Sequence, residues 1–167
     1  MKWVLIAAAV LIAFIAAVFI IGTMLPENHV ASRSSRFKQP PQAVWDAIAG
    51  PSDWRPDLRS AEQLPPRDGR RSWKETDKHG QIITYESVEE SPPTRLVTRI
   101  ADPKLPFGGT WTQEIAPDAG GCVLKITEAG EIYNPIFRFM ARFVFGYSGS
   151  IEAYLKALHA KFGEPGD

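Results

Sequence analysis

The feature that most constrains this chain is an uninterrupted apolar run at its N-terminus. No polar side chain occurs from Val4 to Ile21, and the longer stretch from Trp3 to Leu25 is also apolar apart from one threonine. As an α-helix this stretch would be roughly 34 Å long, which is enough to cross the hydrocarbon core of a bilayer with some tilt. Its composition favours a helix, and Pro26 is expected to end it. The sequence therefore predicts a membrane anchor in residues 1–26 and a separate domain in residues 27–167.

A cleavable signal peptide is the main alternative to an anchor. Signal peptides have a shorter apolar core and small residues before the cleavage site, which Gly22–Leu25 do not provide. We therefore favour an uncleaved anchor, with a buried core helix third because it would normally carry a polar face. Positive charges flank the run on both sides, so the positive-inside rule gives a mixed signal. Because the leading segment is short, we expect the N-terminus in the cytoplasm and the domain outside it.

Composition and charge exclude several classes of protein. The formal net charge is zero, without the basic excess of nucleic-acid-binding proteins. The single cysteine, Cys122, excludes an intrachain disulfide and zinc sites built from several cysteines. It is expected to be a small buried hydrophobe rather than a nucleophile. His29, His79 and His159 lack metal-ligand spacing, so we expect no metal site and no cofactor.

The domain reads as a strand, a short helix and a run of antiparallel strands. His29–Phe37 is the first strand, and Gln42–Ile48 is the helix, with Pro41 suited to its first turn. Glycine, proline and aspartate mark most of the later boundaries. The six further strands are predicted at Leu58–Leu64, Arg70–Thr76, Gln81–Glu89, Thr94–Ile100, Gly108–Ala116 and Cys122–Ile132.

A long amphipathic helix closes the chain. Asn134 suits its N-cap and Pro135 its first position. From Ile136 to Phe162 apolar residues recur every three or four positions, which predicts one continuous face, and Gly146 and Gly149 permit a bend. This helix would cover the apolar face of the sheet. A twisted sheet and a straight helix differ in curvature, so a gap is expected between them.

The chain resembles the SRPBCC superfamily of START-like, helix-grip proteins, which includes polyketide cyclase/dehydrase-like members. The resemblance covers His29 to Phe162. It is carried by the opening KQPPQAVWDAI (38–48), the SDW turn (52–54), LPFGGTWTQEI (105–115) and ITEAGEIYNPIFRF (126–139). The resemblance implies an α+β helix-grip fold, with a curved antiparallel sheet of about six or seven strands around a long C-terminal helix. It also implies a cavity for lipids or other apolar compounds, in a family where a minority of members are enzymes.

Alternation along the strands and the stripe of the last helix indicate which side chains face that cavity. Residues of one parity on a strand share one face of the sheet, so the apolar parity is expected to point inward. Many aromatic side chains with few polar groups suit an apolar ligand, although core packing is the better explanation for each one alone. The expected ligand-binding residues are Trp73, Ile83, Tyr85, Trp111, Gln113, Leu124, Ile126, Glu128, Met140, Phe143, Tyr147 and Ile151.

Glu128 is the one weak candidate for catalysis. It shares the inward parity of Leu124 and Ile126, and a carboxylate that faces an apolar cavity can act as an acid or orient a ligand. The alternative is a solvated position at the open end of the strand, where the carboxylate caps neighbouring backbone. We favour the solvated position, since strand-end registers shift easily.

The first half of the last helix, Ile136–Tyr147, is apolar on nearly all sides, and Arg138 and Arg142 are its only charges. One interpretation is that this end touches the membrane surface, with the arginines near phosphates. The other is that short helices of the domain cover it, and we favour this second interpretation.

Three functions are compatible with these patterns. The favoured one is a membrane-anchored binding or carrier domain for a hydrophobic small molecule or lipid. The second is an enzyme of the cyclase, dehydratase or hydrolase type that uses Glu128 with Gln113 or Tyr85. The third is a protein-interaction module with a filled core. The oligomeric state and the identity of the ligand stay open.

Overall fold

The computed structural model describes residues 1–166, and its first element is helix α1, Lys2–Met24. Leu25 leaves the helix with extended backbone angles, because the Pro26 ring disfavours helical angles in the preceding residue. Most apolar side chains of α1 are exposed, and its length and composition suffice to cross a membrane. The last residue of the predicted domain, Asp167, lies outside the described residues.

One curved antiparallel sheet of seven strands forms the centre of the domain within residues 1–166. Counted along the chain, the second to seventh strands follow one another as a meander, and the first strand pairs with the seventh at the edge opposite the second. Each strand matches one that the sequence predicted, and no end differs by more than three residues. Their bounds are β1 Asn28–Phe37, β2 Leu58–Arg67, β3 Arg70–Asp77, β4 Ile82–Ser91, β5 Arg95–Ile100, β6 Phe107–Asp118 and β7 Gly121–Ile132.

Two helices cover this sheet. Helix α2, Pro41–Ala49, follows β1 and carries its proline in the first turn, as predicted. Helix α4, Gly149–Lys161, is the last helix of the described chain and packs against β1. Together with the curved sheet they confirm the predicted α+β helix-grip class.

The prediction of one continuous helix from Ile136 to Phe162 is wrong in detail. Helix α3, Pro135–Met140, runs into a π-helical turn, Ala141–Phe145, and α4 begins only at Gly149. Gly146 separates the two parts with φ of 74° and ψ of 176°, a conformation essentially restricted to glycine. The predicted cap is present, since the Asn134 side chain accepts hydrogen bonds from the backbone N–H groups of Ile136 and Phe137.

A solid core fills one end of the space between helices and sheet. Its side chains come from α2, α4 and the strands β1, β5, β6 and β7. Dispersion and the removal of apolar surface from water stabilise this packing. The members with the least exposure are Phe37, Val44, Leu96, Cys122, Leu124, Ile126, Ile151 and Leu158.

Two residues weighed for chemistry belong to this core. Cys122 is fully buried, and burial raises the pKa of its thiol, which agrees with the predicted role as a small hydrophobe. His159 is also buried: its Nε2 lies 2.7 Å from the Ser35 hydroxyl, and its ring stacks on Phe37. Both therefore support packing at the filled end of the fold.

Candidate ligand-binding cavity

A cavity of about 700 Å³ occupies the other end of the space between the sheet and the C-terminal helices. Strands β3 to β7 contribute to its wall, as do the loop 52–57, the π-helical turn and α4. Small-molecule sites in proteins typically measure about 300–1,000 Å³, so the space is large enough for a ligand. The wall is predominantly apolar and aromatic, which suits a molecule with an apolar body.

Most of the residues predicted to face a ligand do line this cavity. The expected residues of β3, β4 and β6 alternate along their strands and border one cavity, so they share the helix-covered face of the sheet. Whether they contact a ligand stays a prediction. The residues in the wall are Trp73, Ile83, Tyr85, Trp111, Gln113, Glu128, Met140 and Tyr147.

Four predicted lining residues lie elsewhere. Leu124, Ile126 and Ile151 face inward, but they are fully buried at the filled end of the space and belong to the core. Parity identifies the face of a strand and not the position along it at which packing gives way to a cavity. Phe143 is on the surface, 59% exposed, because the π-helical turn changes the direction in which its side chain projects.

Glu128 faces the cavity and not the solvent, contrary to the position that the sequence favoured. Its Oε2 accepts hydrogen bonds from Trp111 Nε1 at 2.9 Å and from Ser150 Oγ at 3.2 Å. Its Oε1 lies 3.2 Å from His29 Nε2, and its side chain is only 18% exposed. These partners come from β1, β6 and α4, so the carboxylate joins three elements at the cavity wall.

His29 is a cavity residue that the sequence analysis missed as a site. Its ring stacks on Tyr147, with 4.3 Å between centroids, and lies against Gly130, where a Cβ would collide with the ring. A carboxylate only accepts, so Nε2 donates to Glu128 and Nδ1 is the acceptor in the neutral ring. A histidine that lies opposite a glycine on the neighbouring strand could have indicated this position. That pairing is known only once β1 is aligned with β7.

A second polar cluster lies near the loop 52–57. Arg55 donates to Glu75 Oε2 at 2.8 Å and also binds Asp57, while Trp73 Nε1 donates to Glu75 Oε1 at 3.1 Å. Burial alone would lower the pKa of Arg55, but its hydrogen bond to Asp57 and the charges of both carboxylates raise it above the ordinary value. Burial would likewise raise the pKa of Asp57, and Arg55 holds it below its usual range. The cluster is therefore an ion network at neutral pH. The sequence analysis did not identify Arg55 or Asp57, since neither lies in a regular strand.

Two tyrosines add phenol groups to the wall. Burial raises the pKa of Tyr154 to about 12, with the Arg55 charge and a hydrogen bond with Gln113 acting against it. Burial, followed by the nearby charge of Glu75, also raises the pKa of Tyr85. Both side chains are neutral at physiological pH and can donate or accept a hydrogen bond. Among the described residues of this wall, Gln113 Oε1 and His29 Nδ1 are buried without a hydrogen-bond partner.

Within residues 1–166, no group of three or more histidine, cysteine, aspartate or glutamate side chains could hold a metal ion. The charged side chains described above instead form two clusters, around Glu128 and around Arg55. Such an arrangement can orient a ligand, and a histidine–carboxylate pair can also move a proton.

Solved structures share this architecture at low sequence identity. A protein of Thermus thermophilus is 18% identical, with a TM-score of 0.64 over 80% of this chain and 96% of its own. Norcoclaurine synthase from Thalictrum flavum is 13% identical, with a TM-score of 0.62 over 87% of this chain and 92% of its own. The di-domain ARO/CYC StfQ of the steffimycin biosynthetic pathway is 16% identical, with a TM-score of 0.62 over 80% of this chain and 50% of its own. At these identities the likeness concerns the fold.

No curated protein matches the chain significantly. A family model does match it, over residues 28–163, which is the whole domain from β1 to the end of α4. The match covers the sheet, the cavity wall and the helices that close it. The chain therefore belongs to the family described as polyketide cyclase/dehydrase and lipid transport.

Proposed function

We propose that this protein is a membrane-anchored binding or carrier protein for an apolar small molecule that bears at least one hydroxyl or N–H group. The observation that carries the proposal is the cavity of about 700 Å³ between sheet and helices. Close-packed protein interiors rarely leave voids much larger than a water molecule, so a space of this size indicates a ligand-binding site. The family, which includes lipid transport, supports the same function.

The requirement for a donor follows from the unpartnered acceptors in the wall. Buried polar groups without a hydrogen bond are uncommon, because each is destabilising by about 1–3 kcal/mol. Gln113 Oε1 and His29 Nδ1 are both acceptors of this kind. Both atoms are shielded from solvent, so a rotation of either side chain toward the cavity would let a ligand hydroxyl or amine relieve that penalty, whereas a pure hydrocarbon would not.

The anchor is supported by how α1 ends. Gly22 is buried against the Pro135 backbone, and the guanidinium of Arg138 donates to the Leu25 carbonyl at 2.9 Å. A cation at the C-terminal end of a helix is favoured by the helix dipole. Cleavage near Leu25 would remove these contacts, so we infer that α1 is retained. An extracytoplasmic position of the domain stays a prediction.

Blocking the cavity tests the binding function. Ala153 and Ala160 both lie on exposed positions of α4, but Ala153 borders the cavity and Ala160 does not. We expect Ala153→Trp to lose a co-purifying apolar ligand in native mass spectrometry, and to bind the probe N-phenyl-1-naphthylamine about tenfold more weakly. Ala160→Trp, the matched control, should behave as the wild type. Equal binding by all three proteins would contradict the proposal.

A second candidate function is acid–base catalysis, which the His29–Glu128 pair favours. His29 would exchange a proton with the substrate, and Glu128 would stabilise the imidazolium. Glu128→Gln keeps the size of the side chain and removes its charge. Lost turnover of a bound substrate with retained binding would support an enzyme, and unchanged turnover would exclude Glu128 from catalysis. The third hypothesis is a protein-interaction module with a filled core. The open cavity argues against that hypothesis.

A further inference from the structure

Five apolar side chains around the π-helical turn are exposed to solvent. The short helices of the domain do not cover them, contrary to the interpretation that the sequence favoured. Exposed aromatic clusters of this kind mark sites that contact a membrane or another protein. We call these residues the mouth patch: Ile136 (38% exposed), Phe137 (49%), Phe143 (59%), Val144 (57%) and Phe145 (71%).

The mouth patch is also the rim of the cavity. Phe137 and Phe145 are exposed on the outside and line the cavity on the inside. Met140 and Ala141, which lie between them in the chain, line the same wall. A molecule that enters or leaves past this rim therefore passes over the exposed aromatic surface.

Helix α1 fixes where this rim lies relative to a membrane. The main neighbour of α1 is α3, the helix that begins the patch segment. Within α1 the buried residues are Val18 and Gly22, one turn apart on a single side of the helix. Val18 precedes Met24 by six residues, so contact at Val18 lies about 9 Å below the end of α1, given a rise of 1.5 Å per residue.

A depth of this size is typical of interfacial elements. Amphipathic helices at membrane surfaces bury their apolar face about 5–10 Å into the boundary between headgroups and acyl chains. If the last turn of α1 lies at the membrane surface, then α3 and the turn after it lie within that boundary. Arg142, exposed on the same turn, is placed to meet lipid phosphates.

We propose that the mouth patch inserts into the leaflet from which α1 emerges, so that the cavity opens to lipid and exchanges its ligand with that leaflet. The ligand class is then a membrane-dissolved molecule, and the occupant of the patch is the bilayer itself. This inference rests on the proposed function, because it requires α1 to be a membrane anchor. Continuity between α1, α3 and the cavity rim distinguishes a bilayer from a second protein as the occupant.

Matched spin labels test the insertion directly in the full-length chain. Val144→Cys places a label on the mouth patch, and Val88→Cys places one on exposed β4. Cys122 is fully buried, and treating the wild type with the same spin-label reagent checks that this cysteine does not react. In lipid nanodiscs we expect the Val144 label to collide with dissolved oxygen and to be shielded from an aqueous nickel chelate. The Val88 label should show the reverse.

A kinetic experiment tests the route of the ligand. Phe143→Ser with Val144→Ser changes the patch without altering a residue of the cavity wall, and Ile82→Ser with Val88→Ser is the control on β4. We expect the patch variant to take up N-phenyl-1-naphthylamine from phospholipid vesicles about tenfold more slowly. Its affinity for the probe at equilibrium should equal that of the control.

The outcomes separate this inference from the proposed function. If alkaline carbonate extracts the chain from membranes, both the anchor and the insertion fail. If the chain is integral but the Val144 label is as accessible to nickel as the Val88 label, only the insertion fails. Concentration-dependent cross-linking through Val144→Cys would show that a second copy covers the patch, and it would overturn the inference. If the cavity binds no ligand, the binding function is contradicted, but the spin-label result on insertion of the mouth patch is unaffected.

Discussion

Helix α4 and the segment from α3 through the π-helical turn share an apolar repeat of three to four residues, but the fold uses them differently. In α4 the residues Ile151, Leu155 and Leu158 are at most 6% exposed and pack against the sheet. In the preceding segment, Phe143, Val144 and Phe145 are all more than half exposed. This difference shows that an apolar repeat predicts which face of a segment is removed from water, but not what covers that face. For α4 the partner is the sheet, and for the other segment we propose the bilayer.

The largest expected effect is the loss of a core side chain from α4. Leu158→Ala should lower the free energy of unfolding by about 2–5 kcal/mol, because it leaves a cavity at the filled end of the domain. Val144→Ala, on the exposed segment, should change it by less than about 0.5 kcal/mol in detergent. Urea unfolding followed by circular dichroism measures both. Equal losses would mean that the two segments are buried alike.

The break between the two segments should depend on Gly146. Gly146→Ala forces a side chain into a conformation that costs about 1–3 kcal/mol for residues other than glycine. Gly149→Ala is the control, because a Cβ there meets open space and alanine favours the first turn of α4 by up to about 1 kcal/mol. Thermal unfolding of the two variants compares them. If Gly146→Ala is neutral, the helix can continue through the break.

The smallest effect is confined to alkaline pH. Burial raises the pKa of Tyr154 on α4 to about 12, so folding favours the neutral phenol. That stabilisation is fully present below the unfolded pKa of about 10, and it is lost as the pH rises through about 12. Tyr154→Phe should therefore flatten the alkaline decline in unfolding free energy. Tyr133 precedes α3 and is more exposed, so Tyr133→Phe should change the slope less, although its hydrogen bond to Glu131 raises its pKa too. Indistinguishable slopes for the two variants would show that α4 does not bury its phenol more deeply.

Much of the fold could be predicted because its signals are local. Gly120 forms the turn between two strands through its own backbone preference, with φ of 81°, and Asn134 caps a helix with its own side chain. Strand parity also depends only on neighbours in the chain, which is why Trp73, Tyr85 and Trp111 were placed in the cavity wall. The family resemblance added the curvature of the sheet, which the family model and the solved structures support.

The polar clusters of the cavity could not be predicted in the same way. His29 and Glu128 are 99 positions apart and meet because β1 pairs with β7. Arg55 reaches Glu75 from a loop whose path has no periodic pattern. The misplacement of Leu124 and Ile126 has the same origin, because the boundary between packed core and open cavity depends on how far α2 and α4 extend over the sheet.

Local chemistry alone thus determined the apolar N-terminal helix, the order of strands and helices, and the inward face of each strand. Tertiary structure decided that the closing helix breaks at Gly146, that His29 joins Glu128 in the wall, and that α1 docks on α3 through Gly22. The physical reason is the sequence separation over which each interaction acts. Backbone preference and side-chain alternation act between neighbours in the chain. Burial and hydrogen bonding across the sheet depend on segments that only the fold brings together.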